Sequence, residues 1–181
     1  HGASWVPLTD DLADLSVGAV AYAPSDPDVV YLGSGEGGLA IDFIPGIGLL
    51  RSDDGGASWY LPDTSGSVVA SQFYALSVDP DDPDVVLAAT NQGLLATGDG
   101  GATWEVRIAD PGLIAVTEVV RAPTDPNRLY AAAWCRTGCP PGLDRIMRSD
   151  DRGLTWQPAS AGMPAVALAA PELNRAAVAV A

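Results

Sequence analysis

A chain of 181 residues with 48% apolar side chains can build one ordinary domain with a real core, and no apolar run is long enough to span a bilayer. Its net charge of −14 argues against a nucleic-acid partner, because affinity for phosphate backbones comes from cations, and here these are nine arginines and no lysine. Twenty glycines and fifteen prolines favour many short strands joined by tight turns over long helices.

The first five residues, His1-Gly2-Ala3-Ser4-Trp5, are the second half of a motif that returns whole three times. Val17–Ala23 reads as a strand and leads into Pro24-Ser25-Asp26-Pro27-Asp28-Val29-Val30-Tyr31, where two prolines fix φ at both ends of a short connection and stop strand pairing from running through it. Val29–Gly33 leads out as a second strand, followed by a long loop from Ser34 to Gly48. A third strand, Leu49–Arg51, enters Ser52-Asp53-Asp54-Gly55-Gly56-Ala57-Ser58-Trp59, and the tryptophan begins a fourth. The same order then repeats. Phe73–Val78, Pro80-Asp81-Asp82-Pro83-Asp84-Val85-Val86-Leu87 and Val85–Thr90 precede a short Asn91-Gln92-Gly93 turn, Leu94–Ala96, and Thr97-Gly98-Asp99-Gly100-Gly101-Ala102-Thr103-Trp104. Ala115–Arg121, Pro123-Thr124-Asp125-Pro126-Asn127-Arg128-Leu129-Tyr130 and Leu129–Trp134 come next. A loop from Cys135 to Arg145, Ile146–Arg148 and Ser149-Asp150-Asp151-Arg152-Gly153-Leu154-Thr155-Trp156 complete the third round. Pro171-Glu172-Leu173-Asn174-Arg175 starts another.

The four tryptophans of this motif, Trp5, Trp59, Trp104 and Trp156, stand 54, 45 and 52 residues apart, the span of a four-stranded propeller blade. The expected fold is therefore all-β: a β-propeller of four-stranded antiparallel blades, about three and a half of them present. Residues 1–16 are the last strand of a preceding blade with its connector. Residues 17–61, 72–107 and 115–158 are blades, and 165–181 are the first strands of a further one. Open edges at both ends predict that this stretch alone associates or is unstable.

Each motif has the chemistry of a turn. Asp54, Asp99 and Asp151 fold their carboxylates back onto backbone N–H groups, Ser52, Thr97 and Ser149 supply hydroxyls, and Trp59, Trp104 and Trp156 close the turn as apolar lids. Gly56, Gly101, Gly153 and Gly2 recur in every copy, whereas the preceding position holds Gly, Gly, Arg or His. The recurring glycine is therefore expected at positive φ, and its neighbour does not need to be.

These residues resemble the Asp-box, or bacterial neuraminidase repeat, superfamily of propellers, over essentially the whole chain. That superfamily includes sialidases, xyloglucanase-type glycoside hydrolases, sortilin-type receptors and the photosystem II assembly factor. Val29-Val30-Tyr31-Leu32-Gly33-Ser34-Gly35-Glu36, followed by Leu50-Arg51-Ser52-Asp53-Asp54-Gly55-Gly56, looks most like the xyloglucanase- and sortilin-like branch. The resemblance implies that the Asp-box is a structural turn away from the substrate. It carries over no catalytic residue. Phe43-Ile44-Pro45 lacks the arginine of the sialidase Arg-Ile-Pro motif, and the Asp-Ile-Gly-Gly-Ala type segment of the xyloglucanase-like enzymes is not found.

With the strands lettered A to D in each blade, alternating strand direction puts the A–B and C–D turns on one face and the B–C and D–A loops on the other. The turn face holds 13 of the 23 acidic residues, and soluble turn chemistry is the favoured reading over a cation-binding rim. No metal or cofactor is expected. The opposite face carries the irregular loops, where binding residues tend to sit. The candidates there are Glu36, Asp42 and Phe43 in one loop, and Trp134, Arg136 and Asp144 in or beside the other. Glu36 and Asp42 read as a glycosidase-like pair or as solvated carboxylates. Trp134 and Phe43 read as stacking platforms or as loop-base packing. No internal histidine exists, so a histidine base within this segment is ruled out. Cys135 and Cys139, at C-x3-C, cannot complete a four-ligand zinc site. They are either ordinary loop thiols or a disulfide worth roughly 2 kcal/mol.

The leading expectation is a non-catalytic module of the cell envelope or exterior. It would offer its B–C loop face to a protein or glycan, with the remaining blades of the full-length protein as its other partner. The alternatives are a fragment of a propeller glycoside hydrolase with catalytic residues largely outside this segment, and a photosystem-assembly-factor-like chaperone. Any signal sequence lies outside this stretch.

Overall fold

A computed structural model describes residues 4–10, 12, 16–36, 44–69, 71–110, 113–135, 145–159 and 161. Among these there is no helix, and therefore none long and apolar enough to cross a membrane. Eleven strands follow in chain order. The first sheet holds β1 (Val17–Ala23), β2 (Asp26–Ser34) and β3 (Leu49–Ser52). The second holds β4 (Phe73–Val78), β5 (Val86–Thr90), β6 (Gly93–Thr97) and β7 (Glu105–Ile108). The third holds β8 (Leu113–Ala122), β9 (Asp125–Cys135), β10 (Ile146–Ser149) and β11 (Gln157–Pro158).

Every pairing joins sequence neighbours in antiparallel register, so each sheet is an up-and-down meander, as a propeller blade is. In the first blade the fourth strand is reduced to one bridge, Arg51 opposite Tyr60. Ser4–Pro7, read from the sequence as part of a strand, are not in one, and Trp5 is 89% exposed. Residues 165–181 lie outside the described residues.

The proline turns differ from expectation. In the first and third blades strand pairing resumes beyond them: Tyr22 faces Val30 but Ala23 faces Asp26, and Arg121 faces Leu129 but Ala122 faces Asp125. Three residues on the second strand, including Pro27 or Pro126, are left over as a bulge. Proline's missing N–H is tolerated in a bulge because no ladder bond is needed there. Only the second blade interrupts its ladder throughout, between Val78 and Val86.

The cores lie between the blades rather than within them. Tyr31, Leu49, Phe73, Val86, Ala88 and Leu95 join the first blade to the second. Leu87, Ala89, Leu94, Val116, Leu129 and Met147 join the second to the third. Strand β5 is buried along its whole length, and its alternate residues belong to different neighbours. The inner approach is close: a Cβ on Gly33 would lie 2.4 Å from the Cβ of Phe73, so only glycine fits under that ring.

Candidate functional site

The three octapeptide turns repeat one hydrogen-bond scheme. The hydroxyl of Ser52, Thr97 or Ser149 donates to Oδ1 of Asp54, Asp99 or Asp151 at 2.7–2.8 Å. The same hydroxyl accepts from the N–H of Gly56, Gly101 or Gly153 at 2.8–2.9 Å. The carboxylate also takes the backbone N–H and hydroxyl of Ser58, Thr103 or Thr155. Bonds from Ser58 and Ser52 draw the Asp54 carboxyl down to about 2, and those from Thr155 and Ser149 do the same to Asp151. Asp99 is lowered likewise by Thr103 and Thr97. These carboxylates are consumed by the turn.

The first turn residue before the recurring glycine is not free, as expected from its variable identity, but left-handed in every blade: φ is 68° at Gly55, 70° at Gly100 and 61° at Arg152. In each blade its N–H donates to the proline-turn backbone, to the carbonyl of Asp28, Asp84 or Asn127. The two turns of a blade are thus bonded together on one face. Each tryptophan is half-buried over its turn. Trp59 Nε1 donates to the Leu8 carbonyl and Trp156 Nε1 to Gly153, while Trp104 Nε1 is buried without an acceptor among the described residues.

Charged groups missed by the sequence reading connect the blades across this turn face. Arg51 donates through Nη1 to Asp84 of the second blade and to the Tyr31 hydroxyl, through Nε to Asp53, and lies over the Tyr31 ring with Cζ 5.5 Å from its centre. Burial pushes the Tyr31 phenol well above its ordinary range, and its O–H donates to the Pro83 carbonyl. At the next junction Asp79, 3% exposed, receives Arg152 at 3.2 Å and Arg121 at 3.4 Å. Burial lowers the Arg121 guanidinium against the pull of Asp79. The signal was present in the repeats: Arg-Ser-Asp-Asp stands at 51–54 and 148–151, but Ala-Thr-Gly-Asp at 96–99. Among the described residues no cluster of three or more metal-ligating side chains exists.

On the opposite face the loop of the first blade is closed at its neck. Ser34 N–H and Oγ both donate to the Gly48 carbonyl, and the Glu36 N–H donates to Ile44, which leaves the Glu36 side chain exposed. In the second blade Thr90 Oγ1 donates to the Gly93 carbonyl, and Gln92 Nε2 ties the short hairpin to Ser71. Trp134 pairs with Ala115 and packs half-buried against the core between the second and third blades. Cys135 is disulfide-bonded, and the only other cysteine in the chain is Cys139. Asp42, Phe43, Arg136, Cys139 and Asp144 lie outside the described residues, so Glu36 and Trp134 are the loop-face candidates with a defined place.

No family model matches the chain. A xyloglucanase from Paenibacillus sp. is 30% identical to it over 183 aligned positions, which cover 84% of this chain and 17% of that protein. Among solved structures, a GH74 xyloglucanase from Xanthomonas campestris superposes with a TM-score of 0.62 at 24% identity, over 88% of this chain and 26% of its own. An ancestral GH74 enzyme gives 0.58 at 20% identity, over 87% and 19%. YCF48 from Cyanidioschyzon merolae gives 0.51 at 19% identity, over 81% and 40%. The chain thus spans between 17% and 40% of the length of these proteins. Three antiparallel meanders packed face to face, with these likenesses, make the chain part of a β-propeller.

Proposed function

We propose that these blades belong to a xyloglucanase-like propeller glycoside hydrolase, in which this stretch binds and frames a glucan chain rather than cleaving it. The observation that carries the reading is the 30% identity to a xyloglucanase over 84% of the chain. The octapeptide turns are then Asp-boxes of the xyloglucanase- and sortilin-like branch, with carboxylates occupied by their own loops and unavailable for acid–base chemistry. The binding surface is the B–C loop face, with Glu36 and Trp134 at the roots of its two long loops, and Asp42, Phe43, Arg136 and Asp144 within them. Glu36 is the carboxylate with a defined place on a B–C loop, and a glycosidase needs two acting across one bond, so the effect of Glu36→Gln decides between binding and catalysis within the segment. The Cys135 disulfide supports an oxidising compartment, the cell exterior or envelope.

Affinity electrophoresis tests this. The chain is expected to be retarded in gels containing xyloglucan more than in gels containing an unbranched glucan, and to release no reducing ends from either. Equal mobility in all gels would overturn the glycan reading and favour a protein-recognition module. Release of reducing ends that disappears in Glu36→Gln would instead put a catalytic group inside this stretch.

A further inference from the structure

Because the blades are repeats, each junction is a control for the next. At the first junction Tyr31, Arg51, Asp53 and Tyr60 fill the space behind the second blade's octapeptide turn. The fit is close enough that a Cβ on Gly100 would lie 2.0 Å from Arg51 Nη1. The second blade carries Leu87, Ala96, Gly98 and Glu105 at those four positions. With the large groups gone, the equivalent space at the second junction is a groove of about 420 Å³. Leu87 and Ala96 form its floor, and Arg107, Arg152 and Leu154 stand in its wall.

The guanidinium has changed sides at this junction. In the first, Arg51 comes from the strand, holds Asp53 and Asp84 in its plane, and lays its face on Tyr31. In the second, Arg152 comes from the facing turn, where Gly100 stands one blade earlier. It donates in its plane to Asp79, Asp81 and Asn127. Among the described residues no aromatic ring stacks on it. A guanidinium with its charge paired in plane still attracts a ring to its face, and the apolar floor rewards burying that ring. The second junction has the cation, the carboxylates and the floor, and lacks only the ring.

We propose that the groove between the second and third blades docks a protruding tyrosine or phenylalanine side chain of a partner protein, its ring stacked on Arg152 and its edge on Leu87 and Ala96. The site is independent of the glycan reading, since it opens beside the octapeptide turns and uses none of the B–C loops.

Methyl and amide NMR spectra of the full chain, titrated with N-acetyl-tyrosinamide at millimolar concentration, test it. Saturable shifts are expected at Leu87, Ala96 and Leu154, with N-acetyl-leucinamide binding roughly tenfold more weakly or less. The variant Leu87→Tyr puts the first junction's own ring into the groove and should abolish the shifts at Leu154. Should that variant lose its dispersed spectrum, Arg152→Gly decides, since it keeps the Leu87 and Ala96 floor and removes the stacking face; binding should fall severalfold. Absence of saturable shifts, equal binding of the leucine amide, unchanged binding to both variants, or tighter binding of a methyl glycoside at the same resonances would each overturn the proposal.

Discussion

Arg152 leaves the octapeptide turn of the third blade with φ at 61°, a conformation that disfavours side chains, and donates through Nη1 to buried Asp79 of the second blade at 3.2 Å. Its Nη2 reaches Asp81 at 2.7 Å. Local backbone strain is held by a contact between blades. Replacement by glycine relieves the strain but loses the pairs, and replacement by alanine does neither good. The expected order of denaturation midpoints is wild type, then Arg152→Gly, then Arg152→Ala, read by urea titration. A glycine variant above wild type would show that the ion pairs contribute less than the strain costs.

Asp79 is the buried member of this group, with Arg121 on its other side. Asp79→Ala leaves a largely buried guanidinium without its carboxylate, a loss of about 3 kcal/mol for a buried pair broken on one side. Calorimetry on that variant is expected to show the largest fall of any turn-face substitution. Loss of less than about 1 kcal/mol would mean that water reaches Arg121.

Two glycines make a matched pair of substitutions. Gly33→Ala drives a methyl into Phe73, and overpacking of this kind costs about 1–3 kcal/mol. Gly98→Ala meets nothing within 4 Å and should stay within about 0.5 kcal/mol of wild type. Thermal melts of the two, side by side, separate close approach from general loss of glycine.

Acid should loosen the turns in a defined window. Asp54 and Asp151 titrate near 2 in the folded chain, and Asp99 is also lowered, against about 3.9 unfolded. A depressed folded value contributes stability that is complete above the unfolded value and is lost as pH falls through the folded one. The melting temperature is therefore expected to be flat with respect to these groups above pH 4 and to drop between about 4 and 2. Asp54→Asn together with Asp151→Asn should lower the plateau and shrink the drop.

Much of the fold was legible because its signals are local. Val17–Ala23 and Phe73–Val78 have the same bounds in sequence and structure, and the proline turn that follows each marks its C-terminal end. The paired turns on one face followed from strand direction alone. The error at Arg152 came from reading identity as conformation: variety at that position looked like freedom, whereas an arginine was tolerated because groups 71 and 73 residues away hold it. Such a contact leaves no periodic trace. Trp134, a candidate by its position at a loop base, packs half-buried against the core between the second and third blades, because β9 extends to Cys135 and carries it there. The groove was half visible, since Ala96 breaks the Arg-Ser-Asp-Asp pattern, but Arg152 and Leu154 in its wall come from another blade.

Strand β5 has a consequence for how the chain finds its alignment. In a sheet with one wet face, sliding a strand by one residue throws its oily side chains into water, and that penalty selects the register. Here Val86 and Ala88 serve one neighbour while Leu87 and Ala89 serve the other. A one-residue slip would merely trade one set of apolar groups for the other, so polarity gives almost no guidance. Alignment must be dictated from the two ends, by the Thr90–Gly93 hairpin and by the Asp79 N–H bonded to the Val85 carbonyl. The middle blade is steered by its corners, and errors there would misfile the strand without exposing it.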